Sequence, residues 1–173
     1  MSSSIELHHL TPKDVDDYYD HFDANRSHLA EHDPRLAHEF MTISQVAEAF
    51  SPFNAKYKQH FAILKDGEFA GSTFLSLRRN QEAEIGYWVG RSHLRQGIAA
   101  AACRQLVNRA FLDTDTRYVE ALIAPENKAS IRTIERVGFQ YDRALEEDLV
   151  YVLDARNIGR HYRGNFSRNI VFI

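Results

Sequence analysis

Alternating apolar and polar residues predict seven β-strands along the chain. β-branched and aromatic residues dominate these runs, as they do in strands that lie half-buried in a sheet. Two of the runs flank Asp66-Gly67, a dipeptide typical of a two-residue hairpin turn. The predicted strands are residues 5–10, 60–65, 68–77, 84–89, 118–124, 139–143 and 149–153.

Apolar residues at helical spacing predict four helices. Thr11 and Pro12 form an N-cap followed by a proline at the first helical position, and Thr42 with Gln45 forms a capping box. Gly138 is typical of a helix end. The predicted helices are residues 12–29, 42–53, 98–110 and 128–137, and a polar break over 28–38 separates the first two. This order of elements indicates a mixed α/β (α+β) fold with a largely antiparallel central sheet.

A polar loop with glycine at both ends, residues 90–97, joins the fourth strand to an alanine-rich helix. The first N–H groups of a helix have no intrahelical partner, and with the positive end of the helix dipole they form a site for phosphate. Gly97 allows a ligand to approach the backbone, and Arg91 and Arg95 add positive charge. An ordinary connection with a solvated basic loop is the alternative interpretation, because a single glycine loop is a weak signal.

Length, charge and cysteine content exclude several classes of protein. The 173 residues and 20.0 kDa predict a single domain over 1–173, with residues 155–173 as a C-terminal extension of unclear role that ends in an apolar run from Ile170. A net charge of −3 disfavours a nucleic-acid partner, and the single cysteine, Cys103, excludes a disulfide scaffold. Because we find neither a long apolar run nor a signal peptide, we expect a cytoplasmic protein without a membrane partner. A homodimer is left open.

Two motifs resemble the GNAT superfamily of N-acetyltransferases. Leu94-Arg95-Gln96-Gly97-Ile98-Ala99 is similar to the family's Q/R-x-x-G-x-G/A loop from Gly97 onward. Asn127-Lys128-Ala129-Ser130, followed by Gly138-Phe139, is similar to its N-x-x-S and G-F motif. The run A-E-I-G-Y-W at 83–88 resembles the RimJ/RimL branch, which acetylates ribosomal-protein N-termini and diverse relatives. The resemblance covers about residues 5–153.

The resemblance implies acetyl-CoA as co-substrate, no metal, and a splay between the fourth and fifth of about seven strands. The pyrophosphate would bind backbone amides of the glycine loop, and the pantetheine arm would pair with the fourth strand near Trp88 and Val89. A backbone N–H near Val89 would stabilise the oxyanion that forms when an amine attacks the thioester. The implied cofactor-binding residues are Trp88, Val89, Arg95, Gln96, Gly97, Ile98, Ala99 and Asn127.

Two residues are candidates for catalysis. Ser130 is the implied partner of the leaving thiolate, through a hydrogen bond or a full proton transfer. Glu84 could accept the proton of the amine, or it could be a solvated or structural strand residue, with Glu82 as its substitute on the same face. Asn127 has a simpler interpretation as a helix N-cap, which is compatible with cofactor contact.

The sequence departs from the family pattern in three places, and two histidines remain as candidate site residues. Leu94 stands where the family usually has Gln or Arg, Ile134 stands where many members have a tyrosine general acid, and residues beyond 154 have no family counterpart that we can place. His28 and His32 are interpreted as lacking a metal-binding spacing, and either could be a base or an acceptor contact on the substrate side.

Only a neutral amine can attack the thioester, so the pKa of an amine indicates how much help it needs as an acceptor. α-Amino groups titrate near about 7.7–8.0 and lysine amines near about 10.4. The proposed substrate segment has only a mild acidic excess, Asp23, Glu31 and Asp33 against Arg26, which is too little for a polyamine. We therefore expect direct attack, in a ternary complex, by the N-terminal α-amine of a peptide or protein. A small-molecule amine or antibiotic, or a non-catalytic CoA-binding module on the same fold, are the alternatives.

Overall fold

The computed structural model describes residues 4–158, which form a seven-stranded sheet covered by helices on both faces. The strands are β1 (Ile5–His9), β2 (Lys58–Lys65), β3 (Glu68–Leu77), β4 (Glu82–Val89), β5 (Tyr118–Ile123), β6 (Gln140–Leu145) and β7 (Asp148–Asp154). The helices are α1 (Val15–Ala30), α2 (Pro34–Ala37), α3 (Ile43–Ala49), α4 (Ile98–Asp113) and α5 (Lys128–Val137). The strand order is β1-β2-β3-β4-β5-β7-β6, and all neighbours are antiparallel except β4 and β5. The predicted fold class is confirmed.

One short helix lies where the sequence predicted a polar break. Pro34 opens α2, and the Asp33 side chain caps it by accepting from the Arg35 N–H at 3.0 Å. Asp-Pro therefore begins a helical turn here, because proline suits the first helical position. Over residues 4–158, five α-helices replace the predicted four. Of the extension over 155–173, the structure describes only its start, where Ala155–Asn157 form a 3₁₀ turn, and the apolar run from Ile170 lies outside the described residues.

The sheet separates two apolar cores. Phe61 and Ile63 of β2 point to the face that α4 and α5 cover, whereas Ala62 between them points to the face that α1, α2 and α3 cover. The first core takes up the alanine-rich helix, with Cys103 and Leu106 fully buried. The second core is mainly aromatic and includes Tyr18, Phe22, Phe40, Phe50 and Trp88.

The parallel strands β4 and β5 stay together over a short distance only. Residues 82–84 of β4 pair with residues 118–120 of β5, and the pairing ends there. On its other side β4 continues to pair with β3 as far as Val89. The predicted splay is therefore present, and it opens a cleft of about 430 Å³ between the strands.

Within residues 4–158, no helix has the length and apolar character that a membrane crossing requires.

Candidate active site

Beyond Glu84, one edge of β4 faces the cleft with its backbone. The Gly90 N–H donates to the Ala70 carbonyl and the Glu82 carbonyl accepts from the Arg78 N–H, so even-numbered residues of β4 direct their backbone groups to β3. Backbone groups alternate in direction along a strand. Those of Tyr87 and Val89 therefore point to the side from which β5 has departed. This edge can pair with an extended ligand.

Trp88, a predicted cofactor contact, directs its backbone away from the open edge of β4. Its backbone lies in register with Ser72 of β3, on the side of the strand that is already paired. Its side chain is 6% exposed and packs in the aromatic core, where the indole N–H donates to the Tyr18 hydroxyl at 3.4 Å. Val89, one residue further, keeps the predicted position at the open edge.

The glycine loop presents backbone at the start of α4. Arg95 and Gly97 both adopt left-handed conformations, with φ of 61° and 75°. A Cβ added at Gly97 would meet nothing within 4 Å, so the loop borders open space at this residue. No described side chain caps the first turn of α4, and Ile98 is buried in the core, so it can contribute only its N–H. The loop retains the free donors that an anion would need.

Gln96 links the glycine loop to Lys65, a cation that the sequence did not indicate. Its Oε1 accepts from Lys65 Nζ at 2.5 Å, and its Nε2 donates to the Ser92 carbonyl at 3.2 Å. Lys65 lies 31 residues away at the end of β2, so no local motif could have placed it beside the loop. The loop thus combines backbone donors with the nearby charges of Lys65 and Arg95.

Asn127, Ser130 and Tyr87 meet on the α5 side of the cleft, which all three line. Asn127 Oδ1 caps α5 by accepting from the Ser130 N–H at 3.1 Å, so its N-cap role is present. The Tyr87 hydroxyl donates to the Ser130 carbonyl at 3.4 Å. Burial raises the pKa of Tyr87 well above its usual value, so this phenol stays protonated. Tyr87 is a hydrogen-bond donor at the cleft that the motifs did not identify.

Glu84 lies at the point where β4 and β5 separate, opposite Glu120 of β5. Its Oε2 forms an ion pair with Arg78, whose Nη1 also reaches Glu120 at 3.3 Å. Arg143 contacts the other oxygen of Glu120 at 3.0 Å. Arg78 and Glu120 were not anticipated, because their side chains converge only when the two strands are placed side by side.

The opposite wall of the cleft consists of ion-paired side chains. Arg35 of α2 contacts both oxygens of Asp148, at 3.0 and 2.7 Å, and so bridges the cleft mouth to β7. Lys58 pairs with Glu39 at 3.4 Å. Arg26, by contrast, pairs with Asp23 and also donates to the Ala37 and Phe40 carbonyls, which ties α1 to the segment after α2.

Leu94 and Ile134, two of the three departures from the family pattern, have different surroundings. Leu94 is exposed at the loop. Ile134 is fully buried in the first core, so an apolar residue fits this position and no hydroxyl reaches the cleft from it.

The histidines of α1 correct one interpretation. His28, Glu31 and His32 bring one ligand atom each to within 4.8 Å of one another, although we predicted no metal-binding spacing there. His28 and His32 are four residues apart, so they share a helix face. Glu31 lies on the same turn and adds a carboxylate to the group. Burial and the charges of His32 and Arg91 lower the pKa of His28.

A sheet that opens beside a glycine turn is the arrangement that the motifs predicted for a GNAT protein. The model of the family described as "Acetyltransferase (GNAT) domain" matches residues 4–140. This is most of the chain, so the chain belongs to the GNAT acetyltransferase family.

Curated relatives include ribosomal-protein acetyltransferases, in keeping with the RimJ/RimL resemblance. The putative ribosomal N-acetyltransferase YdaF of Bacillus subtilis (strain 168) is 34% identical over 102 residues, which are 51% of this chain and 55% of the relative. The ribosomal-protein-serine acetyltransferase of Escherichia coli (strain K12) is 25% identical over 154 residues, 85% of each chain. The first curated relatives are matched over about half of their length or less.

Solved structures share the fold over nearly the whole chain. The aminoglycoside acetyltransferase AAC(6')-Ib, in complex with ribostamycin and coenzyme A, superimposes with a TM-score of 0.80 at 20% identity, covering 94% of this chain and 99% of that one. RimL, a ribosomal L7/L12 alpha-N-protein acetyltransferase in complex with coenzyme A, gives 0.78 at 18% identity, with 88% and 95% covered. At these identities the likeness shows the fold alone.

Proposed function

We propose that this protein is an acetyl-CoA-dependent N-acetyltransferase that acts on the N-terminal α-amine of a peptide or protein. The observation that carries the proposal is the open edge of β4, which ends beside the left-handed turn at Gly97. An extended thioester arm can pair with that edge while its pyrophosphate lies on the helix start. Acetyl-CoA has both parts, and several structural neighbours were solved with coenzyme A or acetyl-CoA.

The donor side would use mainly backbone groups. The Val89 N–H faces the cleft and can donate to the carbonyl oxygen of a thioester, where negative charge develops during attack. The amides of residues 95–99 and the Lys65 ammonium would hold the pyrophosphate. Ile98 and Ala99 would act through their N–H groups, because the Ile98 side chain is in the core.

Glu84 would receive the proton of the attacking amine. Arg78 contacts its Oε2, which leaves Oε1 to accept from the amine directly or through a water molecule. An α-amine needs only this modest help, since a useful fraction of it is neutral at pH 7.

Ser130 would stabilise the leaving thiolate at the other end of the cleft. Asn127 and Tyr87 fix its backbone, so the first turn of α5 is held against β4. A serine hydroxyl is a weak acid and would contribute mainly a hydrogen bond. The Tyr87 phenol also lines the cleft, but burial raises its pKa and makes it a weaker acid, so it too would contribute a hydrogen bond.

An aminoglycoside-type acceptor is the second candidate, because AAC(6')-Ib shares the fold. A polycation would require an excess of carboxylates in the cleft. The carboxylates that line this cleft are paired with cations: Asp33 with Arg35, Glu39 with Lys58, and Glu84 with Arg78. This charge balance favours a singly charged acceptor, and the names of the curated relatives favour a ribosomal protein.

The test is thiol release from acetyl-CoA with a panel of acceptors. The panel contains a peptide with a free α-amine, the same peptide blocked at its N-terminus but carrying lysine, and an aminoglycoside. We expect turnover with the free α-amine only, and Glu84→Gln should shift the pH profile to higher pH, since deprotonation then depends on solvent. Glu68→Gln, at an exposed residue of β3 away from the cleft lining, is the matched control.

Two outcomes would contradict this proposal in different ways. Faster turnover with the aminoglycoside than with every peptide would overturn the acceptor. Coenzyme A binding without turnover for any amine would indicate the non-catalytic module instead.

A further inference from the structure

Three side chains at the C-terminal end of α1 form a group apart from the cleft lining. His28, Glu31 and His32 each offer one ligand atom, and these atoms lie within 4.8 Å of one another. α1 ends at Ala30, but Glu31 keeps helical dihedral angles and the His32 N–H still donates to the Leu29 carbonyl. The helical turn therefore continues far enough to place His28 and His32 on one face.

His28 is the buried member of the group. The residue is 6% exposed, and its ring packs against that of His32 with 5.1 Å between the ring centroids. Packing limits the movement of the His28 ring, so the two exposed side chains would arrange themselves around it.

The carboxylate of the group already binds a cation, Arg91. Glu31 forms an ion pair with the Arg91 guanidinium, and both side chains are more than half exposed. The carbonyls at a helix C-terminus add partial negative charge. An exposed ion pair is worth little, so a metal ion can replace Arg91 at the carboxylate at small cost.

We propose that His28, Glu31 and His32 bind a Zn²⁺ ion, with water as the fourth ligand. Two imidazoles and one carboxylate are a ligand set that zinc uses, and ligands at about 2.0–2.2 Å from the ion lie about 3.4 Å apart in a tetrahedron. The exposed Glu31 and His32 side chains can reach that spacing by rotating toward the fixed His28 ring. Acyl transfer in this family needs no metal, so the ion would be structural. It would hold the last turn of α1 together, whether or not the chain is an acetyltransferase.

The test is a calorimetric titration of the untagged full chain with ZnCl₂, repeated with Co²⁺ to record the absorption of a tetrahedral site. We expect one ion per chain. His32→Ala should weaken binding by at least about tenfold, since a removed ligand costs no less than a removed supporting group. His38→Ala, an exposed histidine in the same segment, is the matched control and should bind as the wild type does. Arg91→Ala should tighten binding, because it removes the competing cation.

Thermal unfolding with and without zinc gives an independent readout that also verifies that the variants fold. Zinc should raise the Tm of the wild type and of His38→Ala, but not that of His32→Ala. A wild type that binds no zinc would overturn the proposal. So would a folded His32→Ala variant with wild-type affinity, because the ion would then be bound elsewhere among the other histidines.

Discussion

The two walls of the cleft are built from different chemical groups. The wall formed by β4 and the glycine loop presents backbone, through the Val89 N–H and the turn at Gly97. The wall formed by α2 and the residues beside it presents ion-paired side chains, among them Arg35, which reaches out to Asp148 of β7. Backbone groups are the same in every sequence, so they suit a substrate that a whole family shares. Side chains can vary, so they suit the acceptor that distinguishes one member from another.

The largest effect should follow a change in the backbone wall. Gly97→Glu places an anion where the pyrophosphate must lie, and Gly97 has φ of 75°, which a side chain strains. We expect coenzyme A affinity to fall by more than about a hundredfold in calorimetry, which is about 2.7 kcal/mol. Gly67→Glu is the matched control, because Gly67 is also left-handed and open but lies in the β2–β3 hairpin. Equal losses in the two variants would mean that strain alone was measured.

The next effect concerns the point where the two walls meet, at the start of α5. Ser130→Ala should lower kcat by about ten- to a thousandfold, at the lower end if Ser130 only hydrogen-bonds the thiolate. Coenzyme A affinity should change little, because the cap between Asn127 and the Ser130 N–H remains. Tyr87→Phe should show a smaller loss if the phenol only supports α5. A larger loss for Tyr87→Phe than for Ser130→Ala would make Tyr87 the proton donor.

The sequence was informative about the backbone wall for a physical reason. A strand, a glycine turn and a helix start are local features, so Gly97, Ile98 and Asn127 could be found from neighbouring residues. The direction of the Trp88 backbone, toward β3, could not be predicted, because it depends on which strand pairs with each edge of β4 and the sequence does not give that partner.

Most contacts of the side-chain wall could not be predicted from the sequence. Arg35 and Asp148 are separated by 113 positions, and Lys65 and Gln96 by 31. Such pairs carry no local pattern, because only the completed fold brings them together. The carboxylates of the substrate segment were interpreted as an acidic excess, but Asp23 and Glu31 are neutralised by Arg26 and Arg91. Charge counting therefore fails where ion pairs form across the fold.

The aromatic core behind the side-chain wall should be the acid-sensitive part. Burial lowers the pKa of His60 to about 3, with smaller contributions from Lys58 and His9. Between about pH 6.5 and 3 the unfolded chain therefore binds a proton that the folded chain does not. The free energy of unfolding should fall by about 1.4 kcal/mol per pH unit from this group as the pH is lowered. Denaturant unfolding of His60→Leu should show a shallower slope, whereas His38→Gln, an exposed control, should keep the wild-type slope.

The smallest effect should come from the ion pair at the cleft mouth. Arg35→Ala removes a partly exposed pair worth at most about 1 kcal/mol. We expect the KM for a peptide acceptor to rise by about two- to fivefold and coenzyme A affinity to stay unchanged. Arg156→Ala, which breaks an exposed pair with Asp154 away from the cleft lining, is the matched control. A loss of coenzyme A affinity in Arg35→Ala would show that the two walls are not separate in function.

Amide hydrogen exchange, resolved by residue in NMR spectra, tests most directly whether coenzyme A binds along the open edge of β4. The Tyr87 and Val89 N–H groups face the cleft, and the Trp88 N–H faces β3. Saturating coenzyme A should slow exchange at Val89 and Tyr87 by at least about tenfold, while Trp88 keeps the protection that its strand pairing already gives. Unchanged exchange at Val89 in a chain that has bound coenzyme A would contradict the account, because the ligand would then lie outside the splay.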